Sequence, residues 1–369
     1  MSDPARADLT ASQRELAEAF RAGRPLALSR CISLVENQRP GFETLLDALH
    51  AGVGRARRIG ITGPPGAGKS TLTAGLARAL RDRGETVGVI AVDPSSPFTG
   101  GALLGDRVRM DDLATEPAIF IRSMASRGSH GGLATSTREA ADLMDAFGFN
   151  RILLETVGVG QSELEVASSA DTTVVVLVPE SGDGIQAMKA GLMEVADLFV
   201  VNKADRPGAE SLRKEIEVVL HLRSGSTMRY VPAHHGIDLS ALGRAREADA
   251  APREDSGGSA VPAGGVKWEV PVLPCTASTG DGVHAVAAAI DAHFAWLEAS
   301  GALEARREEQ RLEHARLVLE RAVQRRAMRE WEEWRAGSSS PGPSRRATPY
   351  ALSREVLGRL WPGSGGSGR

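Results

Sequence analysis

Only two cysteines occur in the 369 residues, Cys31 and Cys275. They stand far apart, with no C-x-x-C and no Cys/His cluster, so the chain offers no disulfide framework and no zinc site of ordinary spacing; a reducing compartment suits it. Charge of one sign is also lacking. Forty-four Lys and Arg against 47 Asp and Glu leave a formal net charge of −3, which gives no global attraction to nucleic acid or to an anionic membrane. Neither is expected as a partner. Apolar runs are short, and the first residues carry Asp3, Asp8, Glu15 and Glu18 without the apolar stretch of a secretory or transit segment. The expected location is therefore the cytoplasm. No His-rich tract is present, and His234 and His235 have no third ligand to complete a metal site, so they read as surface residues.

What is present begins with residues 57–71, R-R-I-G-I-T-G-P-P-G-A-G-K-S-T, around which the rest is organised. A short apolar strand runs into a loop that matches G-x-x-x-x-G-K-[ST] from Gly63 to Ser70, and a helix starts at about Thr71. Gly63, Gly66 and Gly68 allow a turn tight enough to point successive N–H groups at one anion, with Pro64, Pro65 and Ala67 between them. Lys69 would reach the β- and γ-phosphates, the Ser70 hydroxyl would bind Mg²⁺, and the helix would direct its positive end at the phosphates. A bound nucleotide with Mg²⁺ is the expectation.

With 42% hydrophobic and 25% charged residues, the chain can bury one large α/β core with extensions. Residues 1–50 show helical spacing of apolar residues and form an N-terminal helical extension that covers one face of that core. Apolar strands then alternate with helical segments over 51–299, the pattern of a doubly wound, mostly parallel sheet. Strands are expected at 59–62, 86–92, 118–122, 151–156, 172–179, 198–201 and 270–275. In such sheets ligands bind at the carboxyl ends of the strands. Residues 244–266 have almost no large apolar residue and read as a disordered insert. Residues 300–335 form charged C-terminal helices, with an apolar stripe of Leu312, Ala315, Leu319, Ala322 and Val323 that either packs on the chain's own core or forms a homodimer seam. Residues 336–369 are a flexible tail with a short amphipathic helix.

The candidate site residues fall at those strand ends. Asp93 ends the second strand and could hold a metal-bound water; Asp106, in the long loop D-P-S-S-P-F-T-G-G-A-L-L-G-D-R-V-R-M, is a second candidate ligand. Glu155 ends the next apolar run and Gly158 follows three residues later, the spacing at which a glycine amide can meet a γ-phosphate. Glu155 could orient the metal's water shell or the attacking water, and spacing does not choose between them. Gln161 reads as a structural amide. N-K-A-D, with Asn202, Lys203 and Asp205, follows a buried strand; an aspartate there accepts from both N1–H and the exocyclic amine of guanine, a donor pair that adenine lacks. Thr276, Ala277 and Ser278 stand where a second guanine-contacting loop is expected. Asp183, Gln186 and Lys189 recur at three-residue steps and by themselves read as a solvated helix face.

Taken in order, G-P-P-G-A-G-K-S-T, V-D-P-S-S, T-G-G-A-L-L-G-D-R-V-R-M, E-T-V-G-V-G-Q-S-E, G-D-G-I-Q-A-M-K-A-G and V-V-N-K-A-D make the chain resemble the MeaB, MMAA and ArgK family of P-loop GTPases over most of residues 10–335. The resemblance implies a G-protein chaperone that gates cofactor loading and protection or reactivation of an adenosylcobalamin-dependent acyl-CoA mutase, most often methylmalonyl-CoA mutase. It implies a homodimer built through C-terminal helices and a partner-sensing switch at Asp183, Gln186 and Lys189. The catalytic residues would be Lys69, Glu155 and Asp106, with Ser70, Asp93, Asp106 and Glu155 around the metal. No resident arginine finger is evident, so hydrolysis of GTP to GDP should be slow alone and faster with the partner. Two other readings compete. A nickel-enzyme maturation GTPase would ordinarily carry His-rich or Cys/His ligands. A kinase of the ArgK type would need a substrate base and an acceptor pocket, for which no motif is found.

Overall fold

A computed structural model of the chain describes residues 9–94, 113, 115–126, 132–156, 169–179, 192–223, 267–337 and 348–360. Seven apolar runs, each too short for a core helix, form the strands β1 (Arg57–Thr62), β2 (Val87–Pro94), β3 (Ile119–Ser126), β4 (Arg151–Glu155), β5 (Thr172–Leu177), β6 (Leu198–Asn202) and β7 (Val272–Cys275). They make one sheet in the order β3-β2-β4-β1-β5-β6-β7, and every pairing is parallel. The expected mostly parallel sheet is wholly parallel among the described strands. β4, β5 and β6 are buried along their whole length, which is why these runs read as continuous apolar stretches rather than as alternation: helices cover both faces.

The helices are α1 (Ala11–Arg21), α2 (Pro25–Glu36), α3 (Phe42–Leu49), α4 (Lys69–Arg81), α5 (Gly132–Phe147), α6 (Ala209–Arg223), α7 (Val283–Ser300), α8 (Ala302–Gly337) and α9 (Pro349–Leu360), with a single turn at Leu192–Val195. Alternate strand residues serve opposite faces. Val89, Leu153, Val174 and Val200 join Leu72 and Leu76 of α4 and Val286 and Ile290 of α7 in one core. Ile90, Val92, Ile152 and Leu154 face the other way, into a core shared with α5 and the N-terminal helices. Val175, Leu177, Phe199 and Val201 pack with Leu212 and Ile216 of α6. Each such buried aliphatic side chain contributes about 1.5–3 kcal/mol relative to exposure, so the period-2 pattern fixes which face each helix must cover. Residues of α1–α3, among them Phe20, Leu28, Ile32 and Leu45, pack into the second of these cores.

α8 is fastened by arginines rather than by an apolar face. Arg306 donates to both Asp197 carboxylate oxygens, at 2.8 and 3.0 Å, and Arg307 donates to Asp171 and to the carbonyls of Gly54 and Ala56 at 2.7–2.8 Å. Farther along, Arg321 pairs with buried Glu139 of α5. The stripe Leu312, Ala315, Leu319, Ala322 and Val323 faces outward, with Leu312 and Leu319 61% and 62% exposed. Packing on the chain's own core therefore does not account for it. α9 lies against the end of α8, where the Trp334 indole donates to Glu355 at 2.8 Å.

Candidate nucleotide site

The strand order reverses its direction of growth at β1, which lies between β4 and β5, and the carboxyl end of β1 is where the crevice of a doubly wound sheet opens. Gly63 leaves β1 at φ 144°, and a methyl group there would stand 2.1 Å from the Val176 carbonyl oxygen. Only glycine lets the loop turn off β1 so close to β5. At the far end Gly68 has φ 84°, and its missing Cβ would meet the Asn202 amide nitrogen at 2.3 Å. Lys69 and Ser70 then begin α4, so that helix directs its amino end into the loop. The Lys69 ammonium, 6% exposed, donates to the carbonyls of Gly63 and Pro64 at 2.9 and 3.0 Å, which holds a positive charge within the loop.

Ser70 and Glu155 are 85 positions apart in the chain, yet the Ser70 hydroxyl donates to the Glu155 carboxylate at 2.5 Å. Such a short, charge-assisted bond needs both groups rigidly placed. The rigidity comes from β1 and β4 running side by side: Ile61 pairs with Glu155, the Thr156 N–H donates to the Ile61 carbonyl at 3.0 Å, and the Thr156 hydroxyl donates to that of Thr62 at 3.0 Å. On the other side of β4, Ala91 pairs with Glu155, so the backbone of Asp93, next to last in β2, stands two residues beyond that register. Hydroxyl and carboxylate oxygens at a phosphate loop form a hard donor set that fits Mg²⁺.

A second assembly joins the loop to the N-K-A-D segment. Asn202, 3% exposed, donates through Nδ2 to the Ala67 carbonyl at 2.8 Å and accepts through Oδ1 from the Ala277 N–H at 3.0 Å. One amide thus ties three segments together. Lys203 takes φ 55°, uncommon for a residue with a side chain, and the Ala204 N–H donates to the Cys275 carbonyl at 3.0 Å. Asp205 and Ser278 are exposed at the rim, with Thr276 half-buried and Ala277 buried. Burial, with Asp281 nearby, pushes the Cys275 thiol up to about 11, so it is a neutral packing residue.

The structure therefore brings Gly63, Pro64, Pro65, Gly66, Ala67, Gly68, Lys69, Ser70 and Thr71 together with Glu155, Asn202, Lys203, Asp205 and 276–278. Asp106, Gly158, Asp183, Gln186 and Lys189 lie outside the described residues, as does the Asp93 side chain. The Thr62–Thr156 pair and the double role of Asn202 have no local signal. The residues are ordinary, and only strand register places them.

A family model described as methylmalonyl-CoA mutase-associated GTPase MeaB matches residues 28–332. A provisionally named GTPase of Pyrococcus horikoshii is 42% identical over 293 residues, 79% of this chain and 81% of that protein. The mouse mitochondrial methylmalonic aciduria type A homolog is 46% identical over 148 residues, 40% of this chain and 36% of its own. Among solved structures, one named as an LAO/AO transport system kinase superposes with a TM-score of 0.62 at 28% identity, covering 95% of this chain and 98% of that one.

Proposed function

The chain belongs to the MeaB family of P-loop GTPases, and we propose on that basis that it binds GTP and hydrolyses it to GDP in order to gate an adenosylcobalamin-dependent acyl-CoA mutase. The observation that carries the guanine reading is Asn202, which holds the base-reading segment against the phosphate loop and against residue 277 at once. In that arrangement Asp205 accepts from the guanine edge while Lys69 and the loop amides take the phosphates. Ser70 would hold Mg²⁺ with Glu155, Asp93 and Asp106 as its carboxylate neighbours, and the ion would neutralise phosphate charge. Gly158 would give its amide to the γ-phosphate.

The name of the matching family supports a mutase partner, methylmalonyl-CoA mutase first, and the mouse relative's name points to the same methylmalonyl chemistry. Asp183, Gln186 and Lys189 would sense that partner. The outward stripe of Leu312, Leu319 and Val323 suits a homodimer seam. On this reading 51–299 is the GTPase domain, 1–50 its helical cover, 300–335 the dimerisation helices and 336–369 a tail. Among the described residues no helix is long and apolar enough to cross a membrane. The kinase reading draws on the name of the similar solved structure, an LAO/AO transport system kinase, and predicts phosphate transfer to an acceptor other than water.

The deciding experiment is GTP hydrolysis by the full chain, alone and with an adenosylcobalamin-dependent acyl-CoA mutase of the same source, with ATP as control. Slow turnover that rises with the mutase, for GTP only, supports the proposal. Fast turnover alone, or transfer of label to an acceptor other than water, overturns it.

A further inference from the structure

Beneath α8 lies a cavity of about 240 Å³ lined by charged residues from α5, α8, the start of β1 and the residue before β5, at the opposite end of the sheet from the phosphate loop. Its acids are already matched. Asp142 and Asp145 bind Arg58, at 2.8 and 2.9 Å; Asp145 also accepts from the N–H groups of Gly54, Arg55 and Ala56, and Asp171 is held by Arg307 at 2.7 Å. One cation of the wall is left over among the described residues. Arg138, in the second turn of α5, is 8% exposed and makes no ion pair or hydrogen bond with any described residue. The two acids whose charge acts on it are paired elsewhere, Asp142 with Arg58 and Glu313 with Arg316 at 2.8 Å. Beside it, His314 of α8 has a buried Nε2 without a hydrogen-bond partner among the described residues, and its Nδ1 stands 4.0 Å from Asp142.

A buried cation that makes no direct ion pair is costly even where acids act on it from farther off, so such groups are almost always paired. The wall offers a guanidinium fork with no direct ion pair and an imidazole nitrogen with no hydrogen-bond partner among the described residues, able to donate in one neutral tautomer, around a space that admits a group of a few heavy atoms. A planar fork with an adjacent neutral donor matches an oxyanion, whose several oxygens accept from both. Burial works in the same direction. It lowers Arg138 from its ordinary value to about 10 and His314 to about 4, with Arg138 itself among the groups that hold His314 neutral. A neutral His314 can still donate one N–H to an anion.

We infer that this cavity is a binding site for a small tetrahedral oxyanion of the phosphate or sulfate type, held by the Arg138 guanidinium and the His314 imidazole between α5 and α8. Such an anion would join the C-terminal helix to the body at a guanidinium that makes no direct ion pair with any described residue. It is separate from the phosphate loop and does not depend on the nucleotide reading.

The test uses the full chain with Mg²⁺ and saturating GDP, so that the phosphate loop is occupied. Sodium sulfate and sodium phosphate are titrated against sodium chloride at matched ionic strength while the melting temperature is followed, and the linewidth of the phosphate ³¹P resonance is recorded in parallel. Saturable stabilisation by sulfate and phosphate beyond that by chloride, with phosphate broadening, is expected. Both should be lost in Arg138→Gln and weakened at least several-fold in Arg138→Lys and His314→Phe. If chloride serves equally, if the wild type shows no saturable response, or if Arg138→Gln responds as the wild type does, the site is not there. Should Arg138→Gln not fold, the Arg138→Lys and His314→Phe titrations decide: responses equal to the wild type in both overturn the assignment.

Discussion

Replacing Asn202 by Ala removes one side chain and unties three segments. Its amide is the hydrogen-bond partner of the Ala67 carbonyl and of the Ala277 N–H, and Ala67 is fully buried while Ala277 is 8% exposed. Leaving a buried backbone group unsatisfied costs about 1–3 kcal/mol, so two such groups, partly rescued by water in the space the side chain vacates, put the loss at about 3 kcal/mol. In a chain of this size that is a fall of about 5 °C in melting temperature. Asn202→Asp is the sharper probe. It keeps an acceptor for the Ala277 N–H but turns a second oxygen toward the Ala67 carbonyl, a repulsive contact at a buried position, and it should cost at least as much as Ala despite its near-identical shape. Guanidinium denaturation gives the stability change, and displacement of a fluorescent GDP analogue gives the affinity, expected to fall by at least ~10-fold because the loop and the base-reading segment are no longer held in register. A result within ~0.5 kcal/mol of the wild type for both variants, with affinity unchanged, would refute the assignment of Asn202 as the tie.

Gly63→Ala should prevent stable folding or lower the melting temperature by more than any surface change, since its Cβ would sit 2.1 Å from the Val176 carbonyl oxygen; a protein of wild-type stability would show that the loop turns off β1 differently. Ser70→Ala should leave the fold intact but lower GTP hydrolysis at saturating Mg²⁺ by ~10²-fold, and an unchanged rate removes Ser70 from the site. Both cysteines are pushed up by burial, Cys31 to about 12 and Cys275 to about 11, so neither should react with Ellman's reagent at pH 8 until the chain unfolds; prompt reaction of either would contradict its burial. Burial holds His293 and His314 neutral in the folded chain down to about 4, against an ordinary value of 6.5. The unfolded chain therefore takes up protons first, and stability should be level above pH 6.5 and decline toward pH 4 by on the order of 3 kcal/mol for each residue. His293→Gln should flatten that decline by about one proton in denaturation series at pH 7.5, 6 and 5, and an unaltered slope would mean that His293 does not stay neutral.

Much of the molecule is local and therefore readable from the sequence. Gly63 to Ser70 declare a phosphate loop because the backbone conformations it requires are nearly exclusive to glycine, and the seven strands declare themselves as apolar runs because a parallel sheet covered on both faces leaves no polar alternation. The N-K-A-D tetrapeptide is common by itself and reads as a guanine-contacting segment through its place after a buried strand beyond the phosphate loop. What the sequence does not contain is register and direction. Ser70 finds Glu155 only because β1 and β4 are parallel neighbours, and Asn202 reaches Ala67 and Ala277 only because β1, β5, β6 and β7 stand side by side. The stripe on α8 shows the same limit from the other side. Helical spacing marks Leu312, Leu319 and Val323 as one face, but spacing is blind to orientation, and the arginines that meet Asp171, Asp197 and Glu139 decide that this face turns outward. The charge on Arg138 belongs to the same class, since whether a charge is answered is a property of its neighbours in space.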